Sequence, residues 1–231
     1  MNILITGSRK GIGHFMATQY LERGHTVIGC SRSKAEINHP QYCHFEVDVT
    51  DEKAIRAMLR VITRTFGSLD ALINNAGVAS MNHLLTTTRD TAQNIIDTNL
   101  MGTFLMTRDC GKLMSRAGKG RIINLTTVAA GLRLEGEAMY AASKAAVANF
   151  TQTAARELAP FNITVNAIGP TPIETDLIKA VPKDKIQNLI NLQPIKRLGV
   201  YEDVLNVCDF FLDDRSDFIT GQVIYLGGVH D

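Results

Sequence analysis

Seven short runs dominated by Ile, Val and Leu punctuate the chain, at Ile3–Thr6, Thr26–Cys30, His44–Val47, Ala71–Asn74, Arg121–Leu125, Thr164–Ile168 and Gln222–Leu226. A segment that is apolar at successive positions has no wet face. Each run therefore fits a strand buried on both sides, as in a parallel sheet covered by helices. Longer segments with helical spacing separate them: Ile12–Arg23, Glu52–Phe66, Arg89–Ser115, Ala138–Ala159 and Tyr201–Leu212. Strand and helix in alternation read as repeated βαβ units, hence as an α/β, doubly wound fold of about seven parallel strands with helices on both faces. End signals agree. Gly24 stands where the first helix should stop, and Thr50-Asp51-Glu52 places carboxylates at the positive end of the second. Pro160 closes the helix that holds Tyr140 and Lys144.

The chain of 231 residues is 45% hydrophobic and 20% charged, enough to bury a core. With 24 Lys plus Arg against 23 Asp plus Glu the net charge is +1, which argues against a nucleic-acid or anionic-membrane binder. No apolar run approaches the roughly 18 residues of a membrane span. Four scattered cysteines and six histidines without HxxxH spacing give no metal-ligand pattern. The reading is a single domain over residues 1–231, soluble and cytoplasmic. The proline-marked segment 171–198 follows a strand end, where a substrate lid belongs.

The first strand runs into Thr6-Gly7-Ser8-Arg9-Lys10-Gly11-Ile12-Gly13 and then a helix. Gly7 permits a sharp turn, Gly11 lets backbone approach a phosphate, and Gly13 lets helix and strand pack closely. The free N–H groups of the helix start then suit a pyrophosphate. Three residues separate the first two glycines, and this TGxxxGxG pattern resembles that of the short-chain dehydrogenase/reductase family. The resemblance extends over nearly the whole chain and implies a Rossmann-type dinucleotide-binding domain.

It assigns roles residue by residue. Asp48-Val49 resembles the adenine contact, and Asn75-Ala76-Gly77, after Asn74, resembles the segment that lies along the adenosine half of the cofactor. Tyr140 and Lys144 form the YxxxK pair, four apart on one helix face. Tyr140 is the expected acid/base, and a nearby ammonium should lower its phenol from the usual value near 10. Lys144 is also expected to hold the nicotinamide ribose. Asn99 matches the asparagine that holds a water for proton relay. Thr127, thirteen residues before Tyr140, occupies the usual serine position and keeps the hydroxyl that would bond the substrate oxygen. Pro170, Ile173 and Thr175 match the nicotinamide-contacting segment.

Cofactor choice is read at the second strand's end, Ser31-Arg32. An acidic residue there would bond a ribose 2′-OH; none is present. Arg32, with Arg9 and Lys10, suits a 2′-phosphate, so NADP(H) is expected. Thr171 replaces the usual glycine and Leu226 an acidic residue near the chain end. Leu226 falls where many members pack subunits, so a dimer or tetramer is expected with an altered interface. The nearest overall resemblance is to the 3-oxoacyl-acyl-carrier-protein reductases. It implies an NADPH-dependent reductase of a small-molecule or carrier-bound carbonyl. Two alternatives stand beside it: a non-catalytic NADP(H)-binding sensor or scaffold, and a sugar, polyol or natural-product ketone dehydrogenase.

Overall fold

The computed structural model describes residues 1–173 and 183–228. Seven parallel strands form one sheet in the order β3-β2-β1-β4-β5-β6-β7. They are β1 (Asn2–Thr6), β2 (Thr26–Ser31), β3 (Tyr42–Glu46), β4 (Ala71–Asn74), β5 (Gly120–Leu125), β6 (Ile163–Gly169) and β7 (Val223–Tyr225). Eight α-helices accompany them among the described residues. They are α1 (Gly11–Glu22), α2 (Glu52–Phe66), α3 (Arg89–Ile96), α4 (Gly102–Ala117), α5 (Ala129–Leu132), α6 (Ala138–Leu158), α7 (Lys183–Leu192) and α8 (Tyr201–Leu212).

Alternation along the strands sends side chains into two cores. Ile3 and Ile5 of β1 face α1 and α8, with Met16, Tyr20, Val204 and Phe211. Leu4 between them faces α2 and α4, with Ile55, Leu59, Met106 and Met114. Full burial of each such side chain is worth about 1.5–3 kcal/mol, so continuous apolar runs are what a sheet covered on both faces needs. The helix ends follow local chemistry. Asp51 caps α2 by accepting from the N–H groups of Lys53 at 2.9 Å and Ala54 at 3.0 Å. Gly24 takes φ +79° beyond α1 and donates to the Leu21 carbonyl at 2.9 Å.

The single helix expected over 89–115 is instead α3, a π-turn at Asp97–Met101, and α4. A π-turn inserts one residue without breaking the helical path, and such turns mark functional sites; Asn99 sits on this one. Helix α7 lies within the segment expected to be a lid. The central part of that segment, including Thr175, falls outside the described residues.

Strand order reverses between β1 and β4, so a crevice opens beyond their carboxyl ends. Below it, a buried polar row joins four elements. Asn74 Nδ2 donates to Thr107 Oγ1 at 3.0 Å and to Asn124 Oδ1 at 2.8 Å. Asn124 Nδ2 donates to Thr151 Oγ1 at 2.8 Å. Among the described residues, no helix is long and apolar enough to cross a membrane.

Candidate active site

The glycine turn between β1 and α1 is held from both sides. Gly7 N donates to the Cys30 carbonyl at 2.7 Å. Thr6 Oγ1 accepts from the backbone N–H groups of Asn75 at 3.0 Å and Ala76 at 2.9 Å. Asn75 Nδ2 returns a bond to the Thr6 carbonyl at 2.9 Å. A Cβ on Gly13 would lie 2.5 Å from the Gly7 carbonyl oxygen, so only glycine lets α1 approach this closely. Helix α1 starts with no acidic residue in its first turn and no side-chain cap. Its terminal N–H groups and dipole thus suit an anion.

A cleft of about 380 Å³ lies over this turn, lined by Gly7, Arg9, Lys10, Gly11, Ile12, Ser31, Arg32, Asp48, Val49, Asn75, Ala76 and Gly77. Twelve of the expected cofactor residues thus share one surface. Ser8 and Gly13 are not on it. Ser8 is fully buried, and its hydroxyl lies 3.1 Å from Tyr42 Oη; Gly13 packs beneath the turn. Asp48 keeps its place, with Oδ1 accepting from Thr50 N at 2.9 Å and Thr50 Oγ1 at 2.8 Å.

A second lobe of about 170 Å³ adjoins the cleft and shares Ile12, Asn75, Gly77 and Val78 with it. Tyr140, Lys144, Thr127, Pro170 and Ile173 line this lobe. Helix α6 places Tyr140 and Lys144 one turn apart, and the segment after β5 brings Thr127 to them. Thr127 stands beside the Tyr140 phenol and favours its ionised form, and its Oγ1 accepts from Ala129 N at 3.3 Å. Thr126, the residue after β5, stands next to Thr127 in the chain. Its Oγ1 donates to the Lys144 carbonyl at 2.8 Å, and it too lines the lobe.

The electrostatics differ from expectation. Burial pushes the Tyr140 phenol up to about 12, the Glu137 carboxylate adds to the rise, and the Thr127 hydroxyl opposes it. Lys144 does not lower it here. Its Nζ is turned to the Leu125 carbonyl at 2.7 Å, and burial brings its own value down to about 8. The phenol is held protonated, the form that can give a proton to a carbonyl oxygen.

Asn99 is fully buried and lines neither lobe. Its Oδ1 accepts from Val78 N at 2.8 Å, and its Nδ2 donates to Val78 O at 2.9 Å and Ser143 Oγ at 3.0 Å. Its own carbonyl accepts from Thr103 Oγ1 at 2.7 Å. Asn99 here clamps the 77–78 segment to α6. It stays close to Lys144: a Cβ on Gly77 would lie 3.2 Å from Asn99 Oδ1 and 3.5 Å from Lys144 Nζ.

Thr171 is accommodated by two other glycines. A Cβ on Gly199 would lie 2.7 Å from Thr171 Oγ1, and one on Gly227 would lie 2.7 Å from Thr171 Cγ2. Ile173 is bridged to Gly199 and buried. Two site residues escaped the sequence reading. Tyr201 lines the cleft and stacks on Phe15 with ring centroids 5.2 Å apart. Glu137 lines the reaction lobe, and its position one helical turn before Tyr140 was the available signal.

The glycine turn, the uncapped α1 start and the cleft that carries twelve of the expected residues fit a nicotinamide dinucleotide, with the YxxxK pair in the adjoining lobe. The comparisons agree. A family model described as enoyl-(acyl carrier protein) reductase matches residues 7–230. The chain belongs to the short-chain dehydrogenase/reductase family and is an NAD(P)-dependent oxidoreductase. Among its relatives is the 3-oxoacyl-[acyl-carrier-protein] reductase FabG of Staphylococcus aureus, 36% identical over 97% of this chain and 96% of that protein. The Salmonella typhimurium FabG is 33% identical over 97% of this chain and 95% of that protein. Similar solved structures include ElxO with NADP bound, at TM-score 0.89 and 30% identity over 98% of this chain and 97% of that one. Another is ligand-free aldohexose dehydrogenase of Thermoplasma acidophilum, at TM-score 0.89 and 28% identity over 99% of this chain and 93% of that one.

Proposed function

We propose that this enzyme is an NADPH-dependent carbonyl reductase, with a 3-oxoacyl thioester as its first candidate substrate. The observation that carries the reading is the joined pair of lobes: a cleft with Arg9, Lys10 and Arg32 on its wall, opening onto Tyr140 and Thr127. Arg32 just beyond β2, with Arg9 and Lys10 in the glycine turn, favours a 2′-phosphate. The two FabG relatives support the thioester.

When bound, the reduced nicotinamide supplies a hydride to the carbonyl carbon. The chain does the rest. Tyr140 gives its phenolic proton to the carbonyl oxygen, and solvent returns one to the phenolate. Thr127 bonds the same oxygen and so fixes the substrate's orientation. Lys144, four residues on along α6, holds the cofactor ribose. Leu125, Val128, Leu134, Pro172 and Leu189 give the lobe apolar walls that exclude water.

The test is oxidation of NADPH and of NADH with a panel of 3-oxoacyl thioesters and small ketones, and the reverse reaction with hexoses. Turnover of thioesters with NADPH is expected. Turnover of hexoses alone would move the assignment to a sugar dehydrogenase. Cofactor binding without any turnover would favour a sensor.

A further inference from the structure

A hydrogen-bonded row crosses the edge of the sheet behind the cofactor cleft. Ser8 Oγ lies 3.1 Å from Tyr42 Oη, and Tyr42 Oη lies 2.8 Å from His44 Nδ1. His44 Nε2 lies 3.0 Å from the Ser33 carbonyl and 3.2 Å from Ser31 Oγ. The directions follow from the chemistry of the ends. A carbonyl only accepts, so Nε2 carries a hydrogen and donates to Ser33. Ser31 Oγ donates to the same carbonyl at 2.6 Å. In the neutral ring Nδ1 is then bare and accepts from the Tyr42 hydroxyl, whose oxygen accepts from Ser8.

The row needs space in the sheet. His44 pairs with Gly29 of β2, and a Cβ on Gly29 would collide with the Tyr42 hydroxyl and Ser8 Oγ. The row therefore ties the glycine turn, through β3, to the Ser31–Ser33 lip. That lip and Arg32 line the cleft mouth together with Arg9 and Lys10. The other titratable groups around the row are Cys30 on β2, and Cys43 and Glu46 on β3. Glu46 is the anion among them; it pairs with Ser31 in the sheet and favours the protonated ring.

We propose that His44 is a positioning residue for the cofactor's 2′-phosphate: it holds the Ser31–Ser33 lip, and its protonation adds a cation behind that lip. The inference rests on the NADP(H) reading above. Protonation places a hydrogen on Nδ1. Tyr42 then turns to accept from the ring and donates to Ser8, so the row reverses without breaking. Burial holds the free ring's proton affinity below the ordinary histidine value, and a bound phosphate draws the proton in. NADPH affinity, measured relative to NADH, therefore rises on acidification.

The experiment is calorimetric titration of the cofactor-free full chain with NADPH and with NADH between about pH 8 and about pH 5.5, where histidine titrates. It is run on the wild type, His44→Gln and Tyr42→Phe. The 2′-phosphate itself takes up a proton near about pH 6, which weakens binding; His44→Gln carries that effect alone. The wild-type to His44→Gln ratio of NADPH preference is expected to rise roughly fivefold on acidification, the yield of one added, partly exposed charge pair. Tyr42→Phe removes the acceptor of the protonated Nδ1, a charge-assisted bond stronger than the one the neutral ring accepts, so the midpoint of the same rise moves to lower pH. A ratio independent of pH, or an unshifted midpoint in Tyr42→Phe, overturns the role of His44. Equal affinity for NADPH and NADH in the wild type at every pH overturns instead the 2′-phosphate reading on which it rests.

Discussion

Replacing Lys144 by Met is expected to make the cofactor-free protein's stability respond to pH in a way that isolates the buried ammonium. Lys144 is 5% exposed, and burial lowers it from 10.5 to about 8. Below pH 8 the folded and unfolded chains both hold the proton, and the full desolvation cost is present. As pH rises through 8 the folded protein sheds the proton while the unfolded chain keeps it, so stability rises with pH. The cost is about 3 kcal/mol at pH 7 and falls by about 2.5 kcal/mol on reaching pH 10. The variant lacks this dependence. It also loses the 2.7 Å bond to the Leu125 carbonyl, but that loss offsets the comparison by a largely constant amount. Urea unfolding of both proteins at matched pH reads the difference. For a denaturant slope of about 3 kcal/mol/M, the gap between midpoints shifts in favour of the wild type by about 0.8 M from pH 7 to pH 10. A gap that does not change with pH would refute the argument that burial dominates Lys144.

Arg32→Ala removes one charge-assisted contact at an exposed lip, so NADPH should bind about tenfold more weakly; NADH affinity, by the same titration, should stay within about twofold. Glu137→Gln removes the carboxylate that raises the Tyr140 phenol. Oxidation of the alcohol needs the phenolate, so its pH–rate midpoint should move to lower pH, read from initial rates across the alkaline range. Asn124→Ala deletes the link between Asn74 and Thr151. Leaving those buried groups short of partners should cost about 2–4 kcal/mol in chemical denaturation.

The sheet was legible because its five inner strands are buried and mostly apolar on both faces, whereas the edge strands β3 and β7 are only partly buried. The glycine turn and the YxxxK pair were legible because their geometry is local: a strand, a turn, and one helical face. What escaped depends on partners distant in sequence. The Ser8 hydroxyl leaves the cleft because Gly29 opens a path to Tyr42. Thr171 fits because Gly199 and Gly227 make room. The π-turn at Asn99 adds a residue that helical periodicity absorbs without a visible break. The Tyr140 phenol is raised chiefly by its burial, and the Lys144 ammonium is turned away to the Leu125 carbonyl; spacing specifies neither.

Tyr140 carries the central claim, and Tyr140→Phe tests it with little change in shape. The measurement is reduction of a 3-oxoacyl thioester at saturating NADPH by the wild type and by the variant, with NADPH affinity determined for both. Loss of at least about a hundredfold in turnover, the scale of a general acid, with NADPH affinity retained, is the result expected. A variant that reduces the substrate at the wild-type rate would contradict the assignment of Tyr140 as the proton donor.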